Sequence, residues 1–261
     1  MDKPYQATPE IFVLPTQYMI PGEGLLPINA FVIKAKEPIL VDTGIGIDSE
    51  EFMNALESVI DPRDLKWIWL SHDDIDHAAN IQKVLKVATN ARIAMNAVTM
   101  LRLDTDWKVP VNRVYLLNPG ESINIGDRKL IAVRPILFDN PGTIGIYDNK
   151  SEVLFSVDSF GAILPSIDTQ NADDIQDVDL VKGMTTWTKA DDPWIHSIDQ
   201  DKFKQELNKI RQLAPKMILS SHLQPAKGKT ERFLKILEDI PASKPWIAPN
   251  QAALEQMLAH K

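Results

Sequence analysis

The segment from Trp67 to His77 constrains this chain more than any other. Trp67-Ile68-Trp69-Leu70 is a continuous apolar run too short for a helix, which predicts a buried strand. It passes straight into Ser71-His72-Asp73-Asp74-Ile75-Asp76-His77, after which Ile81, Val84, Leu85 and Ala88 mark the apolar face of a helix. Four residues with metal-ligating side chains, His72, Asp74, Asp76 and His77, therefore fall between a strand and a helix. In an extended segment residues 72, 74 and 76 face the same way, and His77 turns into the helix start, so the four can converge on two adjacent metal ions. The same residues would also make a polar loop, with Asp73 or Asp74 capping the helix at 77–88. Two of the chain's five histidines stand in this one loop, which favours the metal reading.

Around that segment the first half alternates strands and helices. Residues 11–14, 28–33 and 38–42 read as strands, the last stopped by Thr43-Gly44-Ile45-Gly46. Met53, Leu56 and Ile60 outline a helix with Asp48 or Ser49 as its cap. Beyond residues 91–94 the pattern turns to short strands at 114–117, 122–125, 129–134, 143–147 and 153–157. Residues 166–196 are polar, carry isolated Trp187 and Trp194, and read as an insertion or helical lid within 162–198. Phe203, Leu207 and Ile210 mark a helix, 217–220 a strand, Phe233, Leu237 and Ile240 another helix, and 251–259 a last one. With no repeat, low-complexity tract or linker, the pattern predicts one α/β domain over 1–261 whose sheets are covered by helices.

The chain has no cysteine, which removes disulfides, thiolate nucleophiles, iron–sulfur clusters and cysteine-based zinc sites. Its 28 Lys+Arg against 36 Asp+Glu give a net charge of −8, and no basic cluster breaks it up, so a nucleic-acid partner is not expected. No apolar run approaches the roughly 18 residues that span a bilayer, and the first ten residues lack the apolar stretch of a secretory signal. A cytoplasmic protein with no membrane partner is the expectation.

An apolar strand ending in Asp42-Thr43-Gly44, followed about 25 residues later by Leu70-Ser71-His72-x-Asp74-x-Asp76-His77, carries a family resemblance. It looks like the metallo-β-lactamase superfamily, whose usual loop is H-x-H-x-D-H. With Asp where the second His belongs, the chain is most similar to the lactamase-like domain of flavodiiron proteins and of small oxygen-binding diiron proteins, which carry H-x-E-x-D-H. The resemblance covers roughly residues 10–245, includes Asn29-Ala30-Phe31-Val32, and implies a metallo-β-lactamase-like αββα sandwich. It also implies further ligands. Leu154 to Gly161 matches the strand that ends in the metal-bridging aspartate, here Asp158, and Ser220-Ser221-His222 matches the last ligand. Where the family has a histidine in an H-x-P-x-S/T stretch, this chain reads Phe138-Asp139-Asn140-Pro141-Gly142-Thr143, so Asp139 takes that position and Asn140 falls outside the ligand set. Asp42 becomes a carboxylate that holds the loop rather than a ligand. His196 either lines the pocket or sits near a helix cap, and His260, beside the terminus, is expected to be solvated.

The resemblance thus assigns His72, Asp74 and Asp139 to one ion and Asp76, His77 and His222 to the other, with Asp158 shared. Four carboxylates carry −4, which cancels the charge of two divalent ions. Zinc acidifies its water by being an under-compensated cation, so added carboxylate works against hydrolysis and favours a metal that is oxidised during its cycle. Iron is favoured, with manganese or zinc open. Two functions follow. The first is a diiron protein that binds or reduces O2 or NO; flavodiiron proteins receive electrons through FMN on an attached flavodoxin-like domain, for which this chain leaves no room, so a redox partner in trans is expected. The alternative is a metallohydrolase of an ester, thioester, lactone or phosphoester. Either takes a small molecule, with specificity in loops such as 100–112 and 162–196, and either is compatible with a homodimer.

Overall fold

The computed structural model describes residues 2–259, so His260 lies outside the described residues. Apolar alternation along the strands sorts the chain into layers. The first sheet contains β1 (Tyr5–Thr8), β2 (Ile11–Ile20), β3 (Gly24–Ile33), β4 (Ile39–Val41), β5 (Trp67–Trp69), β6 (Arg92–Met95) and β7 (Val114–Leu116), side by side in that order. It is antiparallel from β1 to β4 and parallel from β4 to β7. The second contains β8 (Ser122–Asn124), β9 (Lys129–Val133), β10 (Gly145–Asp148), β11 (Val153–Val157), β12 (Met217–Ser220) and β13 (Ala226–Lys227), with β11 and β12 its parallel pair. The helices are α1 (Ser49–Val59), α2 (Ile75–Ala78), α3 (Ile81–Val87), α4 (Ala97–Leu103), α5 (Asp177–Asp191), α6 (Gln200–Leu213), α7 (Thr230–Asp239) and α8 (Gln251–Ala259).

Because successive strand residues point to opposite faces, each strand feeds two cores. Val13, Phe31, Ile33, Val41 and Trp69 meet Leu130, Ile146, Phe155 and Leu219 between the sheets. Their neighbours Leu14, Ala30, Val32, Leu40 and Ile68 pack outward on Phe52 and Leu56 of α1 and Val84 and Leu85 of α3. On the other side Leu154 and Ile218 pack on Leu180 and Met184 of α5, Phe203 and Leu207 of α6, and Phe233 and Leu237 of α7. This is the expected αββα sandwich. Among the described residues no helix is long and apolar enough to cross a membrane.

Three local features differ from the sequence reading. β2 and β3 each run ten residues rather than four and six, because full cross-strand pairing carries the hairpin past Pro15, Thr16 and Gln17, where the apolar alternation stops. The helix expected at 77–88 is broken into α2 and α3 at Asn80, whose amide donates to the carbonyls of Thr43 (2.7 Å) and Ile45 (3.2 Å) and also meets Ser49 Oγ. Most of the polar 166–196 stretch is α5 with its flanking turns; Leu180 and Met184 hold that helix in the outer layer. A buried ion cluster ties the sheets together away from the site: Arg128, before β9, reaches Asp148 of β10 (3.1 Å), Glu10 beside β2 (2.6 Å) and Asp127 (2.9 Å).

Candidate metal centre

The parallel pairs β4/β5 and β11/β12 end at one edge of the sandwich, and each of these strands reaches a polar side chain within two residues of its end. Asp42 follows β4 in the left-handed region (φ 59), a conformation aspartate tolerates better than most residues. Its carboxylate accepts from the Ser71 amide (2.8 Å), Ser71 Oγ (2.9 Å) and His77 Nδ1 (3.0 Å). Since Ser71 Oγ donates to Asp42, its lone pair accepts from His72 Nδ1 at 3.0 Å. His222 Nδ1 lies 2.9 Å from the Pro27 carbonyl, which can only accept. All three imidazoles thus carry their hydrogen outward on Nδ1 and turn Nε2 inward, the arrangement a metal requires.

The inward atoms converge. His77 Nε2 is 3.0 Å and His222 Nε2 3.2 Å from Asp158 Oδ1, and His72 Nε2 is 3.8 Å from Asp158 Oδ2. Asp76 Oδ2 stands 3.5 Å from His77 Nε2 and 3.4 Å from His222 Nε2, and Asp74 Oδ2 is 3.5 Å from His72 Nε2. Three overlapping groups, His72/His77/Asp158, Asp76/His77/His222 and His72/Asp74/Asp139, each bring their ligand atoms within 4.8 Å of one another. All seven sequence-derived candidates are therefore in one place. The 72–77 loop is not extended throughout, however. Asp74 is extended, with no capping bond from its side chain, and α2 begins at Ile75, so Asp76 leaves from a helical turn toward His222 while Asp74 stays with His72. The switch from strand-like to helical backbone divides the loop between two clusters.

Asp158 is aimed by an unusual backbone. Val157 has φ 56, a left-handed outlier for a β-branched residue, at a register break between β11 and β12. Its carbonyl is held there by the Ser221 amide (2.9 Å) and Ser220 Oγ (3.0 Å). Asn29 of β3 secures the last ligand's loop by donating from Nδ2 to the carbonyls of Ser220 (3.2 Å) and Leu223 (2.9 Å).

The electrostatics fit a cation. Burial and His77 push the His72 imidazole down, but Asp158 and Asp74 outweigh them and hold it above its ordinary value. Burial likewise opposes the charge on His77, and Asp76, Asp158 and Asp42 hold it well above the usual range. Asp158, whose charge burial opposes, is drawn well below the carboxylate range by His72 and His77. Hydrogen bonding to His72 brings Asp74 down to about 2 despite partial burial. Asp158 Oδ2 is buried with no hydrogen-bond partner, an acceptor left for something other than a protein N–H. This donor set of imidazole nitrogens and carboxylate oxygens fits iron, manganese or zinc.

Several residues outside the sequence-derived ligand set also stand at the site. Asn140, expected to stand apart, is buried and donates from Nδ2 to Asp73 Oδ1 and Asp74 Oδ1, both at 2.9 Å, while its Oδ1 accepts from the Gly142 amide. It thus joins the Asp139 loop to the His72 loop. Trp187 of α5 donates from Nε1 to the Asp158 carbonyl (3.0 Å), and its ring lies 4.5 Å from that of His222. Gly161 makes that approach possible, since a Cβ there would stand 2.5 Å from Trp187 Nε1 and 2.7 Å from His222 Cβ. At the end of α5, Asp191 Oδ2 and Asp192 Oδ1 are buried without a partner; burial and then the Asp158 charge push these carboxyls up to about 10 and about 8. His196 bonds instead to the Pro241 carbonyl (3.4 Å) and joins none of the ligand groups.

A family model described as ODP family beta lactamase matches residues 26–222, more than half of the chain and both ends of the candidate centre. The chain belongs to this family. Relatives of this ODP-family chain include an uncharacterized protein of Methanocaldococcus jannaschii, 30% identical over 53% of the chain and 35% of the relative. Another is the anaerobic nitric oxide reductase flavorubredoxin of Salmonella typhi, 28% identical over 51% of the chain and 28% of the relative. The chain spans about a third or less of the length of these relatives. Among solved structures, rubredoxin oxygen:oxidoreductase of Desulfovibrio gigas superposes with a TM-score of 0.81 at 17% identity, covering 94% of this chain and 63% of that one. The flavodiiron protein of Giardia intestinalis gives 0.80 at 17% identity, covering 92% and 60%. The ODP-family chain thus has the metallo-β-lactamase-like fold of the flavodiiron core.

Proposed function

We propose that this chain holds a dinuclear iron centre that binds or reduces O2 or NO with electrons from a separate redox partner. One observation carries the reading: three inward Nε2 atoms and the carboxylates of Asp74, Asp76 and Asp139 gather in overlapping groups about the buried Asp158. Two reducible ions held there would supply the electrons and the open positions that a diatomic molecule needs. The four ligand carboxylates neutralise two divalent ions and stabilise a higher oxidation state. Asp42 orients His77 directly and His72 through Ser71, while Trp187 covers His222 and keeps water from that side. Asp191 and Asp192, held as neutral acids by burial and by the charge of Asp158, are two protonated groups that could serve a reduction requiring protons. The relatives named as nitric oxide reductase and oxygen:oxidoreductase support the same reading.

Elemental analysis of protein from cells grown with iron and no added manganese should find about two ions per chain, iron exceeding zinc. Asp158→Ala should then lose at least one ion and melt at a lower temperature, because metal binding is linked to folding. Stoichiometric zinc without iron would sink the iron reading in favour of a hydrolase. Two ions retained by Asp158→Ala would show that Asp158 is not shared.

A further inference from the structure

The two halves of the centre are chemically unequal. His72, Asp74 and Asp139 offer one imidazole and two carboxylates; Asp76, His77 and His222 offer two imidazoles and one carboxylate. The extra negative charge of the first half is only partly offset by its surroundings. Arg102, at the half-exposed rim, pairs closely with Asp73 at 2.7 Å and only loosely with Asp74 at 3.9 Å. Asn140 gives Asp74 only a neutral donor. Carboxylate oxygen suits manganese, and imidazole suits iron. Fe(II) binds any such site more tightly than Mn(II), so selection lies in the ratio between halves. Exchanging an imidazole for a carboxylate narrows the advantage of iron.

Resting on the dinuclear reading above, we propose that the centre sorts metals: offered both, the His72/Asp74/Asp139 half takes manganese and the Asp76/His77/His222 half takes iron. The mixed centre follows from the unequal donor sets, which the fold creates by sending Asp74 and Asp76 to different clusters.

The test loads the metal-free 261-residue chain anaerobically with Fe(II) and an excess of Mn(II), then maps each metal by anomalous scattering at the manganese and iron edges in crystals. Manganese occupancy should be roughly tenfold higher in the first half than in the second. Elemental analysis of the same sample should give about one manganese and one iron per chain. Equal manganese occupancy at both positions, or manganese at the second, overturns the proposal and leaves the dinuclear reading standing; no ion at either position overturns both. Asp139→His makes the two donor sets alike, so under the same loading its manganese-to-iron ratio should drop severalfold. An unchanged ratio in a folded, two-metal variant also overturns the assignment. If that variant does not fold, the wild-type occupancies decide alone.

Discussion

Asp42 Oδ2 lies 3.0 Å from His77 Nδ1, and the same carboxylate takes two hydrogen bonds from Ser71, which in turn accepts from His72. One buried side chain that touches no metal position thus sets the tautomer and orientation of two imidazoles, one from each half of the centre. Asp42→Ala should weaken binding of both ions by about 10–100-fold, read by chelator competition. Asp42→Asn, which keeps an acceptor oxygen, should recover part of the loss. Unchanged affinity in Asp42→Ala would show that the imidazoles are oriented by packing alone.

Asn140→Ala should affect the two halves differently. It removes the bonds to Asp73, Asp74 and the Gly142 amide and touches none of Asp76, His77 or His222. The ion beside Asp74 should bind about tenfold more weakly, with the other unchanged, so mild chelation should leave one ion per chain. Equal weakening of both would point to a general loss of structure.

Asp191 and Asp192 make stability fall as pH rises. Their folded-state carboxyls titrate near 10 and 8, whereas an unfolded aspartate titrates at about 3.9. Above about pH 4 the folded chain therefore keeps protons that the unfolded chain has released, and folding is penalised more with each pH unit up to the folded values. In the metal-free protein, Asp191→Asn with Asp192→Asn should match the parent near pH 4 and exceed it by about 1 kcal/mol or more near pH 8 in urea unfolding. A gap that does not widen with pH would mean the pair is ionised in the folded chain.

Arg128→Ala should cost about 3–5 kcal/mol, because Arg128 and Asp148 both have fully buried side chains and removing one strands the other's charge. Arg128→Met combined with Asp148→Leu should recover part of that loss, since an apolar pair leaves no buried charge. Chemical denaturation measures both. A loss of less than about 1 kcal/mol for Arg128→Ala would mean that water reaches Asp148.

What the amino-acid sequence by itself determined is whatever lies within one segment. A four-residue apolar run followed by His72, Asp74, Asp76 and His77 announces a strand delivering ligands, whereas Asp139, Asp158 and His222 entered only through the family resemblance. Such signals are legible because strand and helix periods act over a few residues. The pattern alone reached an α/β domain with helix-covered sheets, the family resemblance supplied the αββα order, and the structure shows alternate residues of β3 and β5 divided between two cores. The tertiary structure alone decided the rest. Asn140 gave no signal because its partners, Asp73 and Asp74, are more than sixty residues away. Asp191 and Asp192 gave no signal in the sequence; α5, held by Leu180, Met184 and Trp187, ends by burying both carboxyls. The partition of Asp74 and Asp76 between unequal halves likewise waited on where the chain turns from extended to helical. Burial and partner choice depend on which distant segments pack together, and no local pattern encodes that.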